Sequence, residues 1–297
     1  MCGINAVIMA AGASSRFAPL SYERPKGLIT VRGEVLIERQ IKQLIEAGIS
    51  DIFVVTGYKA GAFEYLGDKF GVKLIENRKY KERNNNSSIM AAEAVIGDTY
   101  VCSADNYFSK NPFLEKPGTA FYSAVYSHGP TDEWCIDTDE NGYITGVTVG
   151  GENAWYMLGH TFWDREFSRT FISILNNEYD KPETADKLWE TIFLEHLDQL
   201  HMKIRKYPDH SIFEFDTLDE LRLFDKSYIK DTHSEILKKL AVELDCSEEK
   251  MNNFRCIKGG DAEAIGFSFR CGTEMYRFFY KNGNLEKVGE TAANWSF

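Results

Sequence analysis

Arg16 and Lys26 follow a run of residues with little or no side chain, Ala10-Ala11-Gly12-Ala13, which itself follows the short apolar stretch Ala6-Val7-Ile8-Met9. Small residues let a ligand come close to main-chain N–H groups. A helix beginning near Ser14 and Ser15 would add its own exposed N–H groups and the positive end of its dipole. Arg16 brings a planar fork of donors and Lys26 a point charge on a flexible stem. Together these residues make a place to hold a triphosphate. The competing account is an ordinary strand–loop–helix connection with two surface cations, and Pro25-Lys26-Gly27-Leu28 weighs against it. The Walker pattern G-x-x-x-x-G-K-[ST] is absent.

Acidic residues supply the second kind of chemistry. Asp105 stands where the strand-like Thr99 to Ala104 runs out, and ligands of open α/β sheets gather at the carboxyl ends of strands. A carboxylate there can bind Mg²⁺ bridging nucleotide phosphates; the alternative is an Asp-Asn turn without a ligand. In 211–217, period-two alternation puts Ser211, Phe213 and Phe215 on one strand face and Ile212, Glu214 and Asp216 on the other. Thr217 and Glu220 have the spacing of a capping box for the next helix. Trp134, Trp155, Tyr156 and Trp189, with Asp186 and Glu190, are of the types that surround a quaternary ammonium. For Trp189 the alternative is packing, because Leu188, Ile192, Phe193 and Leu197 form an apolar helical stripe within 183–200. Glu195, His196 and His201 do not make H-E-x-x-H, which excludes a zinc hydrolase of that kind.

The elements that position these residues alternate through the first hundred positions, as in a parallel sheet with crossover helices. Strands are expected at 5–9, 51–56, 72–76 and 99–104. Helices are expected over 33–48, with apolar residues at 37, 41, 44 and 45 and a terminal glycine, over 60–70, and from a Ser87 or Ser88 cap through Val95. With 297 residues, 43% of them hydrophobic, the chain can build one sizeable α/β domain and an appendage. A formal charge of −11 argues against tracking nucleic acid by bulk electrostatics. The apolar run at the start ends at Gly12 and lacks a basic flank, so neither a signal peptide nor a membrane span is expected. Cys2, Cys102, Cys135, Cys246, Cys256 and Cys271 contain no C-x-x-C pair, the pattern of reduced thiols in a cytoplasmic protein.

The stretch from Met9 to Leu20, with Arg24-Pro25-Lys26, resembles the signature of nucleotidyltransferases that make sugar nucleotides and CDP-alcohols. Further segments sharpen this: Arg83-Asn-Asn-Asn-Ser-Ser-Ile89, Ala104-Asp-Asn-Tyr107, Thr131-Asp-Glu-Trp134, Phe162-Trp-Asp164, Asp186-Lys-Leu-Trp-Glu190 and Phe213-Glu-Phe-Asp216. In this order they resemble the bacterial choline-phosphate cytidylyltransferases of the LicC type, over roughly residues 3 to 228. The resemblance implies an α/β, Rossmann-like nucleotidyltransferase with a mixed central sheet flanked by helices, and a small α+β appendage at the carboxyl end. It implies catalytic roles for Arg16, Lys26, Asp105 and Asp216, with Mg²⁺ on Asp105 and Asp216. Nucleotide binding falls to Ala10, Ala11, Gly12, Ala13, Asn85 and Ser88, the last two as cytosine contacts. Acceptor binding falls to Trp134, Trp155, Tyr156, Asp186, Trp189, Glu190 and Glu214. The implied reaction joins CMP from CTP to choline phosphate with release of pyrophosphate, by in-line attack on the α-phosphorus.

One position departs from the pattern. Leu188 stands where the choline enzymes tend to have tyrosine, which leaves room for a primary ammonium, as in 2-aminoethylphosphonate or phosphoethanolamine. A sugar-1-phosphate nucleotidyltransferase would be expected to carry a glycine-rich base loop where this chain has Asn84 to Ser88. A non-catalytic nucleotide-binding protein would be expected to lose the cation or carboxylate positions, all of which are present. The domains expected are 1–230, the nucleotidyltransferase, and 231–297. In the latter, a helix from Ser234 and strands at 254–258, 264–270 and 274–281, with turns at Cys271-Gly272 and Asn282-Gly283, resemble the start of a choline-kinase amino lobe. Kinase activity is not expected, since no catalytic loop follows; packing or homodimerisation is.

Overall fold

The structure, a computed structural model, describes residues 3–259 and 264–288. Cys2 and Gly260, the last residue of the kinase-like Ile257-Lys-Gly-Gly, lie outside the described residues. The chain forms two compact units, one of Met1–Gly12 and Val35–Glu214, the other of Ala13–Glu34 and Phe215–Phe297. This is a grouping by compactness; the division at residue 230 drawn from the sequence follows the extent of the resemblance.

The first unit is built on a nine-stranded sheet. Strands β1 (Asn5–Ala10), β2 (Ile52–Thr56), β3 (Lys73–Glu76) and β4 (Thr99–Ser103) are parallel, in the order β4-β1-β2-β3. Ala6, Val7, Ile8, Val54 and Val55 are wholly buried, as strands covered on both faces must be. Helix α1 (Leu36–Glu46) buries Ile37, Ile41 and Leu44, and Gly48 ends it at φ 81°. Ile45 lies off that stripe and is exposed. Further along come α2 (Asn86–Ala91), the two-residue β5 (Tyr107–Phe108), β6 (Phe121–Tyr126), β7 (Pro130–Thr138), β8 (Ile144–Glu152) and β9 (Trp155–Trp163). Then follow α3 (Arg165–Glu178), α4 (Trp189–Glu195), β10 (Lys203–Lys206) and β11 (Ile212–Phe213). β9 makes the sheet mixed, running antiparallel to β4, β6 and β7.

Three local expectations change. Ser87 and Ser88 lie inside α2 rather than capping it; Asn85 holds the N-cap position, and the Asn77 amide donates to both serine hydroxyls, at 2.8 and 3.1 Å. The apolar stripe within 183–200 does not lie on one helix: a single turn, Pro182–Thr184, precedes extended Leu188, and α4 follows. Among the described residues β11 pairs with β5 alone, so its ladder is Ile212–Phe108 and Phe213–Tyr107, and the alternation assumed through Asp216 stops at Phe213.

The second unit holds α5 (Leu218–Phe224), α6 (Glu235–Glu243) and an antiparallel sheet, β12 (Met251–Lys258), β13 (Ala264–Cys271), β14 (Glu274–Phe279) and β15 (Asn284–Val288). Gly272 and Gly283 make its turns at φ 62° and 63°. The Thr217 hydroxyl accepts from Glu220 N–H at 3.2 Å, but Glu220 reaches back to Asp216 N–H, one residue earlier than a capping box. In the same unit no helix grows from Ser14: Ser14 is left-handed, Ser15–Phe17 make one 3₁₀ turn, and Ala18 is extended ahead of Pro19. Cys102, Cys135, Cys246, Cys256 and Cys271 are free thiols. Among the described residues no helix is long and apolar enough to cross a membrane.

The first unit's core includes an imidazole. His160 on β9 is fully buried and ringed by Tyr100, Phe108, Phe113, Phe121 and Tyr207, with centroids 5.0 to 5.8 Å away. The Ser123 hydroxyl donates to the His160 carbonyl at 2.6 Å, so its oxygen accepts from Nδ1–H, and Nε2 accepts from the Tyr207 hydroxyl at 3.2 Å. Burial, aided by the Arg205 charge, lowers the imidazole pKa from 6.5 to about 3. Above pH 6.5 both folded and unfolded chains hold it neutral. Below 6.5 only the unfolded chain takes the proton, so His160 subtracts about 1.4 kcal/mol of stability per pH unit down to its folded pKa. Denaturant unfolding between pH 7 and 5 is expected to show that loss, and NMR to show one imidazole still neutral at pH 5.

Candidate active site

β1 delivers Ala10, Ala11 and Gly12 to the carboxyl end of the parallel strands. The Ala11 carbonyl accepts from Tyr58 N–H at 2.9 Å, which fixes the loop to the strand β2 connection. A Cβ added at Gly12 would meet nothing within 4 Å, so packing does not demand glycine there. Gly57 is the reverse case: its Cβ would lie 2.7 Å from the Tyr80 ring and 2.9 Å from the Ala11 carbonyl oxygen.

Asp105 occupies the turn after β4, where Ala104 N–H donates to Met9 O at 3.0 Å and Asn106 N–H to Ser103 O at 3.3 Å. The turn is gripped from α1. Gln40, fully buried, donates through Nε2 to Ser103 O at 2.7 Å and Asn106 O at 2.9 Å, one carbonyl on each side of Asp105. Asn106 donates to Glu214 Oε2 at 3.2 Å, which brings that carboxylate beside the same turn.

The asparagine run is occupied with its own chain. Asn84 donates to Asp186 O at 3.0 Å, and Asn86, fully buried, to Thr184 O at 2.9 Å and to Lys187 O. Asn85 accepts from Trp189 N–H at 2.7 Å and donates to Glu190 Oε2 at 3.0 Å. Three consecutive side-chain amides thereby fasten 184–190 and start α4. The Asn85 amide is engaged at its oxygen and once at its nitrogen, and Ser88 is buried and accepts from Asn77; these are the two residues expected as cytosine contacts.

Glu190 is half-buried and also accepts from the Tyr122 hydroxyl at 3.3 Å. Burial pushes its pKa up, partly offset by the Asn85 and Tyr122 hydrogen bonds. Among the described residues no lysine or arginine pairs with it. Burial also raises the Tyr122 phenol well above its usual pKa, with the charges of Glu190 and Glu214 adding, so these three side chains gather in one place. Trp189 is 1% exposed, stacked on Tyr122 at 5.8 Å and set edge-on to Trp163 at 5.0 Å; it is a core residue. Asp186 is exposed, and Trp134 is half-buried on β7. Trp155 pairs with Tyr126, four residues along β6 from Tyr122, roughly 13 Å away. Its ring is covered by Lys206 Nζ at 4.9 Å. Neighbouring Tyr156 has its pKa raised by burial, then by Glu133 and Asp209. Trp155 and Tyr156 thus stand apart from the Glu190 group.

The second unit carries the cations and the other carboxylate. Asp216 receives Arg16 Nη1 at 2.8 Å and Lys26 Nζ at 3.6 Å. Arg16 is 75% exposed, and such a contact is worth about 0–1 kcal/mol, so a better anion can take the guanidinium. Lys26 is only 5% exposed, fixed at the start of the turn Lys26–Leu28 with Nζ 5.8 Å from the Phe17 ring. Ala13 is exposed.

Gln40, Asn77 and Tyr122 escaped the sequence reading. Gln40 had a signal, a polar residue on the apolar stripe of α1 between Ile37 and Leu44. Tyr122 had none, because Phe121-Tyr-Ser-Ala-Val-Tyr126 is an unremarkable core strand.

Residues 6–126 match the model of the MobA-like NTP transferase domain. The chain is 31% identical to the choline-phosphate cytidylyltransferase of Streptococcus pneumoniae over 219 residues, 74% of this chain and 96% of that protein. It is 34% identical to the 2-aminoethylphosphonate cytidylyltransferase of Lancefieldella rimae over 229 residues, 76% of this chain and 93% of that protein. The solved structure of CTP:phosphocholine cytidylyltransferase from Streptococcus pneumoniae (LicC) superposes with a TM-score of 0.73 at 30% identity, covering 76% of this chain and 99% of that one.

Asn85→Ala removes the acceptor on the first N–H of α4 and one donor from Glu190. Stability is expected to fall by about 1 kcal/mol, and the Glu190 pKa to move further up. Denaturant unfolding and a carbon-13 titration of the Glu190 carboxyl check the two effects.

Proposed function

The chain belongs to the family of the bacterial choline-phosphate and 2-aminoethylphosphonate cytidylyltransferases, and we propose that it transfers CMP from CTP to a phosphorylated or phosphonylated amino alcohol, choline phosphate first among them. The observation that carries this is Glu190: a half-buried carboxylate with a raised pKa, two neutral donors and no cation among the described residues. An acceptor bearing an ammonium supplies the missing charge. The Tyr122 ring and the Glu214 carboxylate, held by Asn106, complete that end of the acceptor site; Trp134 and Asp186 belong to its rim.

An acceptor oxygen attacks the α-phosphorus of CTP in line, and pyrophosphate leaves. The acceptor is already anionic at neutral pH, so no general base is required; the work is alignment of two anions and neutralisation of charge. Ala10 to Ala13 offer main-chain N–H groups to the triphosphate, Arg16 swings from Asp216 onto it, and Lys26 holds its phosphate from a fixed position. Asp105 and Asp216 are the residues that would hold Mg²⁺, through the hard oxygen donors each carries, and Asp216 already holds positive charge from two side chains. Bound there, the ion would neutralise the triphosphate.

A second acceptor reading rests on Leu188. An aliphatic residue at the start of α4 gives a quaternary ammonium no aromatic face, whereas Glu190 and its hydrogen-bonding neighbours suit the N–H donors of 2-aminoethylphosphonate or phosphoethanolamine.

Pyrophosphate release from CTP is the test, with choline phosphate, phosphoethanolamine, 2-aminoethylphosphonate and glucose 1-phosphate offered separately. Release with an amino alcohol phosphate is expected, and preference for a primary amine selects the second reading. Release with glucose 1-phosphate alone, or with none, overturns the proposal. Glu190→Gln is expected to raise the acceptor KM about tenfold or more with the CTP KM unchanged. Lys26→Ala is expected to lower kcat about 100- to 1,000-fold with native circular dichroism; wild-type turnover in that variant would remove Lys26 from the mechanism.

A further inference from the structure

The resemblance to cytidylyltransferases stops near residue 228, yet the residues beyond it are fastened to the segment that carries Arg16 and Lys26. Glu23 closes the short helical turn Leu20–Glu23, the wrong end of its own helix for a carboxylate. Its partner is the start of another helix. Glu23 Oε1 accepts from the Ser234 hydroxyl and from Ile236 N–H, both at 2.8 Å, and Oε2 accepts from Glu235 N–H at 3.0 Å. Glu23 therefore caps α6 from outside, alongside the Ser234 hydroxyl, which accepts from Leu237 N–H at 3.0 Å. The preceding residue is held as well: Tyr22 lies flat on Tyr280, centroids 3.5 Å apart and planes 4° from parallel. The turn Ser15–Phe17, which carries Arg16, packs against β12.

We propose that α6, β12 and Tyr280 hold the Ser15–Lys26 segment in the conformation that receives the triphosphate, with Glu23 as the positioning residue through which they act. This rests on the phosphate-binding role given to Arg16 and Lys26 above. Glu23 stands three residues before Lys26 with Pro25 between, so a shift of Glu23 is passed along a stiff connection to the buried ammonium. A 1 Å displacement of a positioning group suffices to cost on the order of 100-fold in rate. Coupling of this kind is reciprocal: if α6 favours the binding conformation, the bound nucleotide stabilises the start of α6.

Hydrogen–deuterium exchange on the full chain, with and without CTP, tests it together with CTP binding by calorimetry. Slower exchange at Glu235 and Ile236 on adding CTP is expected. Glu23→Gln, which keeps the size and one acceptor, is expected to abolish that response and weaken CTP binding about tenfold, with the acceptor KM unchanged; Tyr280→Leu moves CTP affinity in the same direction. If CTP binds the wild-type chain while exchange at 235–236 is unaffected and Glu23→Gln binds it normally, the inference is wrong and the proposed function stands. An equal loss for both substrates reduces Glu23 to a structural residue. If the wild-type chain does not bind CTP, the proposed function falls and this inference with it.

Discussion

A chain that runs off the carboxyl end of a parallel strand leaves its ladder partners behind, and each buried carbonyl beyond that point needs a donor from elsewhere. In the first unit that need is met by side-chain N–H donors, most of them amides. Gln40 serves Ser103 and Asn106, Gln43 serves Phe108 at 3.2 Å, and Arg39 serves Phe108 and Ser109 at 2.9 and 3.2 Å, so one face of α1 carries the segment after β4. Asn84 and Asn86 do the same for 184–187. Removing such a donor leaves a buried acceptor bare, which costs about 1–3 kcal/mol. Direction as well as stability depends on these bonds, because Asp105 stands immediately beside a carbonyl that is held and Glu190 follows the held segment by three residues.

Charge is distributed unequally over the two units. In the second, Asp216 is given two cations; in the first, Glu190 is given two neutral donors. A carboxylate with cations already in place is stable as it stands and exchanges partners, while one that is desolvated without them has a raised pKa and is stabilised most by a cation that arrives. The two carboxylates are thus suited to different tasks by their surroundings, though both are acids of the same kind.

The parallel core was legible because its strands are continuous apolar runs and α1 keeps a strict stripe ended by Gly48. Asp105 was legible for the same reason, since a strand end is a fixed address. What could not be read was the side-chain pairing that overrides local pattern. Asn85 and Ser88 have the types of base-reading residues, and the bonds they also make with Trp189 N–H, Glu190 and Asn77 are not announced by the local sequence. The alternation through Asp216 failed because β5, its partner, is two residues long, and a partner's length is not written in the strand itself. Trp189 carried two meanings in the sequence, and the rings of Tyr122, Trp163 and Phe171 around it are assembled from distant positions. Glu23 gave no signal, because the helix it caps lies more than two hundred residues away.

Gly57 adds one consequence. It lies just past β2 and outside the Ala10–Gly12 loop, yet any side chain there would press on Ala11 O from one side and Tyr80 from the other. The shape of the loop is therefore recorded partly at a position that no nucleotide need touch. A side chain at Gly57 would therefore have to move the loop itself, because exchanging Tyr80 at the same time clears the ring but leaves the Ala11 carbonyl in the way.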